Sequence, residues 1–307
     1  MLPIYVVGSL NTDLTVTVPK FHLPGETIIG TSFQIFLGGK GGNQAVAAAR
    51  LKADVRFVGA LGQDAYGDAY LKGLQDEGVN TQMIVRRADQ PSGIALIEVN
   101  PAGENRIIVV SGANRTVDEN LVKDSCCKVT EKHVLMLQLE IPMKANIEAA
   151  KHARVTGSTV ILDPAPAAPL PPELIENVDF ITPNETELAM LTGMKTDTME
   201  EVKAAALSLI NLGAKRVVAK LGKRGNLYVD REKSIFSPGF KVNAIDTTAA
   251  GDSFNAGLAY AVSRGMGLEE GLRLANAVGA LSTTAMGAQA AMPSIKEVEE
   301  LLIAQST

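Results

Sequence analysis

Short apolar runs ending in polar or glycine-rich turns alternate along this chain with helical patterns. "IYVVG" precedes "QAVAAARL", "VRFVGALG" precedes "GDAYLKGLQ", and "HVLMLQLE" precedes "NIEAAKHA". Apolar strand runs each followed by an amphipathic helix predict crossover units, and crossovers build a mainly parallel sheet covered by helices. The rhythm continues through "TVILDP", "FITPN" with "ETELAMLTG", and "RVVAKLG". After it come a predicted hairpin, "GNLYVD" with "SIFSPG", then a last strand at "KVNAID", and helices starting near Ala250, Leu268 and Ser294. With 307 residues, 46% of them hydrophobic, the chain can bury one large α/β core, and residues 1–307 are expected to form a single domain.

Two regions break the rhythm by placing strand patterns together without helices: "LTVTV" through "TIIGTSFQIF", and "SGIALIEVN" with "NRIIVVSG" across "PAGE". They predict a small antiparallel sheet built from excursions at roughly 12–37 and 90–112 and placed as a lid. The alternative is two edge hairpins of no functional consequence.

Several function classes drop out on composition. The net charge of −5, with Lys and Arg scattered, gives no basic surface for nucleic acid. The adjacent cysteines Cys126 and Cys127 suit neither a disulfide framework nor a spaced zinc site, so a reducing compartment is expected. The start "MLPIYVVGS" has no basic region, and no apolar run approaches the ~18 residues that span a bilayer. No membrane association is expected, and the cytoplasm is the expected location.

In an open α/β sheet, ligands sit beyond the carboxyl ends of the strands. Those ends carry Asn11 and Asp13, Glu140, Asp163, Asn184 and Glu187, Gly222 and Gly225, and Asp246. Turns and helix caps also favour such residues, so each alone is uninformative. In "FLGGKGGNQAVAAA", four glycines precede an alanine-rich helix, and Lys40 and Asn43 add donors. Neither Ser nor Thr follows the lysine, which excludes a Walker A loop, and no dinucleotide fingerprint is present. The stretch "VNAIDTTAAGDSFNAG" brackets small residues with Asp246 and Asp252 ahead of a helix beginning near Gly251. Free N–H groups at Ala249, Ala250 and Gly251 would bind an anion. Asp252 is then either the cap of its own helix or a base that accepts a proton from an attacking hydroxyl during phosphoryl transfer.

These motifs, in order, resemble the ribokinase-like (PfkB) carbohydrate kinases: "GSLNTDL", "PGETIIG", "GGKGGNQAVAAA", "GENRIIVVSGAN", "MLQLEIP", "DPAPA", "ITPNETE", "DTTAAGDSFNAG" and "GAQAAMP". The resemblance implies a three-layer fold with a β lid. It also implies transfer of the ATP γ-phosphoryl group to a small sugar, D-ribose at O5 first, with deoxyribose, a ketose, a sugar acid or a nucleoside as alternatives. By it, Asn11, Asp13, Gly39, Lys40, Asn43 and Glu140 look like the sugar set, with Asp252 as base and Ala249, Ala250 and Gly251 as anion hole. Asn184 and Glu187 are implied near the ATP phosphates and magnesium, Gly222 and Gly225 in the nucleotide site, and Asn276 by the adenine. A homodimer through the lid is likewise implied, as is a potassium site at Asp246 with carbonyls around Thr248, Ser282 and Gly287. Three residues depart from the family pattern. Ala291 stands where an oxygen near potassium is usual, Lys220 where a small hydroxyl residue is common near the nucleotide phosphates, so that it would add a positive charge to the nucleotide site, and Asp163 where asparagine is frequent. A non-catalytic sugar sensor is the reading from a different class.

Overall fold

The computed structural model describes residues 1–126 and 129–306, so Cys127 lies outside the described residues. Nine strands form the main sheet: β1 (Ile4–Val7), β4 (Val55–Gly62), β5 (Asn80–Arg87), β8 (Val134–Gln138), β9 (Thr159–Asp163), β10 (Phe180–Ile181), β11 (Val217–Lys220), β12 (Gly225–Val229) and β13 (Ser234–Pro238). Their order is β13-β12-β11-β10-β9-β8-β1-β4-β5, parallel throughout except for the antiparallel edge of β12 and β13. Among the described residues, ten α-helices connect and close the fold: α1 (Lys40–Arg50), α2 (Ala65–Asp76), α3 (Glu119–Cys126), α4 (Met143–Val155), α5 (Pro172–Ile175), α6 (Glu185–Thr192), α7 (Met199–Asn211), α8 (Ala250–Arg264), α9 (Leu268–Leu281) and α10 (Ile295–Ala304).

Alternation along each strand explains the layering. In β1, Tyr5 and Val7 enter one core with residues of α3, α4 and α7, while Ile4 and Val6 enter the other with residues of α1, α2, α8 and α9. Strands with both faces covered read as continuous apolar runs, which is why "VLMLQ" is buried from end to end. The result is helix, sheet, helix. Cys126 ends α3 inside the first of these cores.

A second sheet holds β2 (Asn11–Thr17), β3 (Ser32–Gly38), β6 (Gly93–Val99) and β7 (Asn105–Val110) in the order β3-β2-β6-β7. The expected antiparallel pairing joins β2 to β3 and β6 to β7, and a parallel β2–β6 register fuses the two excursions into one sheet.

Two local expectations are corrected. "KVNAID" is not a strand: the amides of Ile245 and Asp246 both donate to the Thr283 carbonyl, at 2.7 and 3.1 Å, which ties a loop to the end of α9 instead of a ladder. The "TIIG" stretch is also outside any strand, and β3 begins only at Ser32.

Candidate active site

Lys40 and Asn43 lie in the first turn of α1, not in a loop ahead of it. Gly39 makes the entry with φ 82°, a left-handed conformation that glycine adopts without penalty. Gly41 then rests on the chain leaving β1. A methyl group there would sit 2.6 Å from the Ser9 amide nitrogen, so only glycine lets α1 start this close to the sheet.

Asp252 is not a helix cap. The N-cap position of α8 is Ala249, with φ 60° and no side-chain cap, and Asp252 faces inward at 4% exposure. Its carboxylate accepts from Asn43 Nδ2 at 3.0 Å and from Gln44 Nε2 at 3.1 Å. Burial pushes the carboxyl up to about 6, against the attraction of Lys40. The amides of Ala249, Gly251 and Asp252 have no acceptor among the described residues, so the start of α8 presents donors and the positive end of its dipole. A non-glycine residue at positive φ costs about 1 kcal/mol, and here that strain shapes the donor ring.

The remaining sugar-set residues gather around Lys40. Glu140 Oε2 accepts from the Lys40 amide at 2.9 Å and from the Ser9 hydroxyl. Asn11 is buried, and its Oδ1 accepts from Asn114 Nδ2 at 2.8 Å; Asn114 also binds both the amide and the carbonyl of Leu10. That clamp leaves the Asn11 NH2 group without a protein partner among the described residues. Asp13 is raised to about 7, by burial first and then by the negative charge of Glu140. The Lys40 ammonium has no ion-pair partner within 4.0 Å among the described residues. Burial works against its charge, yet Asp252, Asp163, Glu140 and Glu187 together hold its pKa above the usual lysine value. One ammonium therefore stands among four carboxylates with its donors free.

Asp163 and Lys220, two of the departures noted in the sequence, meet: Lys220 Nζ lies 2.9 Å from Asp163 Oδ1, with the side chains 11% and 2% exposed. Gln44 Nε2 bridges Asp163 Oδ2 and Asp252 Oδ1, both at 3.1 Å, and Gln44 Oε1 accepts from Gln138 Nε2 at 2.7 Å. Sequence reasoning named neither glutamine nor Asn114. The available signal was a polar residue inside an apolar segment, Gln44 in an alanine-rich helix and Gln138 at the end of an apolar strand, because buried amides require partners.

The other expected residues lie on α6, the β11–β12 turn, α9 and the loop before α8. Asn184 caps α6 in a capping box with Glu187, and each side chain accepts from the other's amide at 2.8 Å; Glu187 keeps its second carboxylate oxygen outside the box. A bridge between Asn184 and Lys220 brings the ends of β10 and β11 together. Gly222 turns with φ 54° into open space, whereas Gly225 is required by packing, since a methyl group would meet the Ser237 carbonyl at 2.1 Å. Asn276 does not present its amide to a cleft. Nδ2 donates to Ser237 and Pro238 and Oδ1 accepts from Asn226, which ties α9 to the β12–β13 hairpin. At the expected potassium site, Asp246 is in the loop described above. Its oxygens already accept from Thr248 and Gly287, the Ser282 hydroxyl donates to the Gly279 carbonyl, and Ala291 brings no side-chain oxygen. The carbonyls of Thr248, Ser282 and Gly287 accept no backbone hydrogen bond among the described residues.

Comparison with known proteins agrees with the geometry. The family model for "pfkB family carbohydrate kinase" matches residues 1–295. Ribokinase of Haemophilus influenzae is 41% identical over 298 residues, covering 97% of each chain. The crystal structure of ribokinase from Thermotoga maritima matches with a TM-score of 0.91 at 39% identity, covering 99% of this chain and all of that one. Arabidopsis thaliana ribokinase complexed with ribose and ATP matches with a TM-score of 0.90 at 37% identity, covering 98% of both chains. A buried carboxylate beside a donor-rich helix start, an ammonium among carboxylates and a match over nearly the whole length place this chain in the pfkB family of carbohydrate kinases.

Proposed function

We propose that this chain transfers the γ-phosphoryl group of ATP to O5 of D-ribose, giving ribose 5-phosphate and ADP. The observation that carries the reading is Asp252: a buried carboxylate, relieved of any capping duty, oriented by Asn43 and Gln44 at the unsatisfied start of α8. A hydroxyl held there would lose its proton to Asp252 while the amides of Ala249 and Gly251 receive the charge of the transferring group; the Ala250 amide, expected in the same role, instead donates to the Thr247 carbonyl at 3.2 Å. Asn11, Asp13, Glu140 and Lys40 would hold the sugar, since carboxylates accept from vicinal hydroxyls while amide and ammonium groups donate to the other oxygens. Gly39 lets the backbone approach the sugar, Gly222 does so for the nucleotide, and Gly225 and Asn276 act as positioning residues for the nucleotide side.

Among the described residues no three carboxylate, imidazole or thiol groups converge on one point. Magnesium would be held by the nucleotide phosphates with help from the free carboxylate oxygen of Glu187, in the first turn of α6 next to Asn184. Magnesium so held would neutralise phosphate charge.

The second sheet is read as a lid over the sugar. Its face bearing Asn11 and Asp13 turns toward the site. On the opposite face, the register aligns Ile35, Leu14, Leu96 and Ile108 across all four strands, with Phe33 alongside, and Ile108 is 64% exposed. An exposed apolar sheet face of this kind suits a second copy, and a homodimer through the lids is part of the reading. No described helix is long and apolar enough to cross a membrane; a cytoplasmic location is proposed with the substrate.

The test is ADP release across pentoses, deoxyribose, ketoses, sugar acids and nucleosides, with Asp252→Asn as control. D-ribose should give the highest kcat/KM, and the variant should lose about 10²- to 10⁴-fold in kcat while still binding the sugar. A nucleoside or deoxyribose preference would replace the substrate and keep the chemistry. Unchanged turnover in the variant would leave the base unassigned, and sugar binding without any turnover in the parent chain would mark a sensor.

A further inference from the structure

Lys220 is the one residue of this site whose surroundings are not explained by the sugar or by the base. Its ammonium has three donors, and the structure gives an acceptor to one of them, Asp163 Oδ1 at 2.9 Å, although the side chain is only 11% exposed. It hangs over the first turn of α8, where a methyl group on Gly251 would come within 3.3 Å of Nζ. A cation at the positive end of a helix dipole, next to amides that lack acceptors, is electrostatically disfavoured unless an anion joins it. Asp163 supplies part of that charge from one side and leaves the other side open.

We infer that Lys220 is a ligand for the terminal phosphates of the nucleoside triphosphate, held ready by Asp163 and released toward the phosphates when they dock at the start of α8. Asp163 is a positioning residue for that ammonium. Its second oxygen and the Asp252 carboxylate share the Gln44 amide, so the arrival of phosphate at Lys220 is transmitted to the base through one side chain. The two departures from the family pattern are on this view a single device: Lys220 requires a carboxylate at 163, and a carboxylate at 163 facing phosphate requires a neutralising cation. The inference rests on the kinase reading given above.

Nucleotide binding tests it without turnover. Dissociation constants for ATP, ADP and AMP would be measured by calorimetry, without sugar, for the parent chain, Lys220→Met, Asp163→Asn and the double variant. Lys220→Met should weaken ATP about 10- to 100-fold, the scale of a lost charge-assisted hydrogen bond, and leave AMP within about twofold. Asp163→Asn should bind ATP at least as tightly as the parent, with and without magnesium, and the double variant should match Lys220→Met. If Lys220→Met does not fold because Asp163 is left unpaired, the double variant, with a neutral pair, carries the same ATP-to-AMP comparison. Equal affinities in parent and lysine variants, equal losses for ATP and AMP, or a magnesium-dependent loss in Asp163→Asn would each overturn the assignment. A parent chain that binds none of the three nucleotides would instead remove the proposed function itself.

Discussion

Two carboxyls of the site titrate where enzymes work. Asp252 sits at about 6, raised by burial, and Asp13 at about 7, raised by burial and by Glu140. As base, Asp252 must be charged, and Asp13 must be charged to accept from two hydroxyls. kcat/KM should therefore fall about tenfold per pH unit below 7 and more steeply below 6, and Asp13→Asn should remove the upper step while lowering sugar affinity. The sign for stability is opposite. Both folded values exceed the ordinary aspartate value of about 4, so the folded state binds more protons between pH 4 and 7, and the contribution is lost as pH rises through the folded values. Asp13→Asn should consequently raise Tm at pH 8 but not at pH 4, by the equivalent of about 1 to 3 kcal/mol, measured by thermal unfolding at both pH values. Asp252, Lys40 and Asn43 were legible from their motifs, because helix starts and glycine runs are local. Gln44, Gln138 and Asn114 were not, since what an amide binds across the fold is a tertiary property, and the meeting of Asp163 with Lys220 spans 57 positions.

The helices owe their placement to a few contacts made by small residues and clamps. Asn114, in the short turn that follows β7, fixes Leu10 and Asn11 through three hydrogen bonds made by its own amide. Asn114→Ala should free Asn11 and raise KM for the sugar about 5- to 50-fold, with kcat changed far less, since each buried hydrogen bond contributes about 1 to 2 kcal/mol. Steady-state kinetics with sugar as the varied substrate checks this. The succession of strands and helices was readable from periodicity, including the β12–β13 hairpin and the three closing helices. Reading went astray at "KVNAID", where alternating residues looked strand-like but the backbone found a partner in the Thr283 carbonyl, and at "TIIG", an apolar stretch that pairs with no strand among the described residues. Periodicity reports what a segment can bury; it does not report whether a neighbouring edge is available.

The whole molecule is two sheets that both supply residues to the candidate site. The main sheet and its helices contribute Glu140, Lys40, Asn43 and Asp252, and the second sheet contributes Asn11 and Asp13 from β2. Sequence breaks marked the second sheet, but its parallel β2–β6 seam pairs residues more than eighty positions apart and leaves no local trace. If its outer face joins two copies, Ile108→Glu should convert dimer to monomer in light scattering and lower sugar affinity, while the parent chain remains dimeric at micromolar concentration. Because β2 belongs to the second sheet and also carries Asn11 and Asp13, a saccharide bound as proposed would act as mortar between two plates. Its hydroxyls would bond to both, so occupancy would be felt as stiffness across the joint. Looseness introduced anywhere along that joint is thus expected to surface as poorer grip on the substrate before it surfaces as slower chemistry.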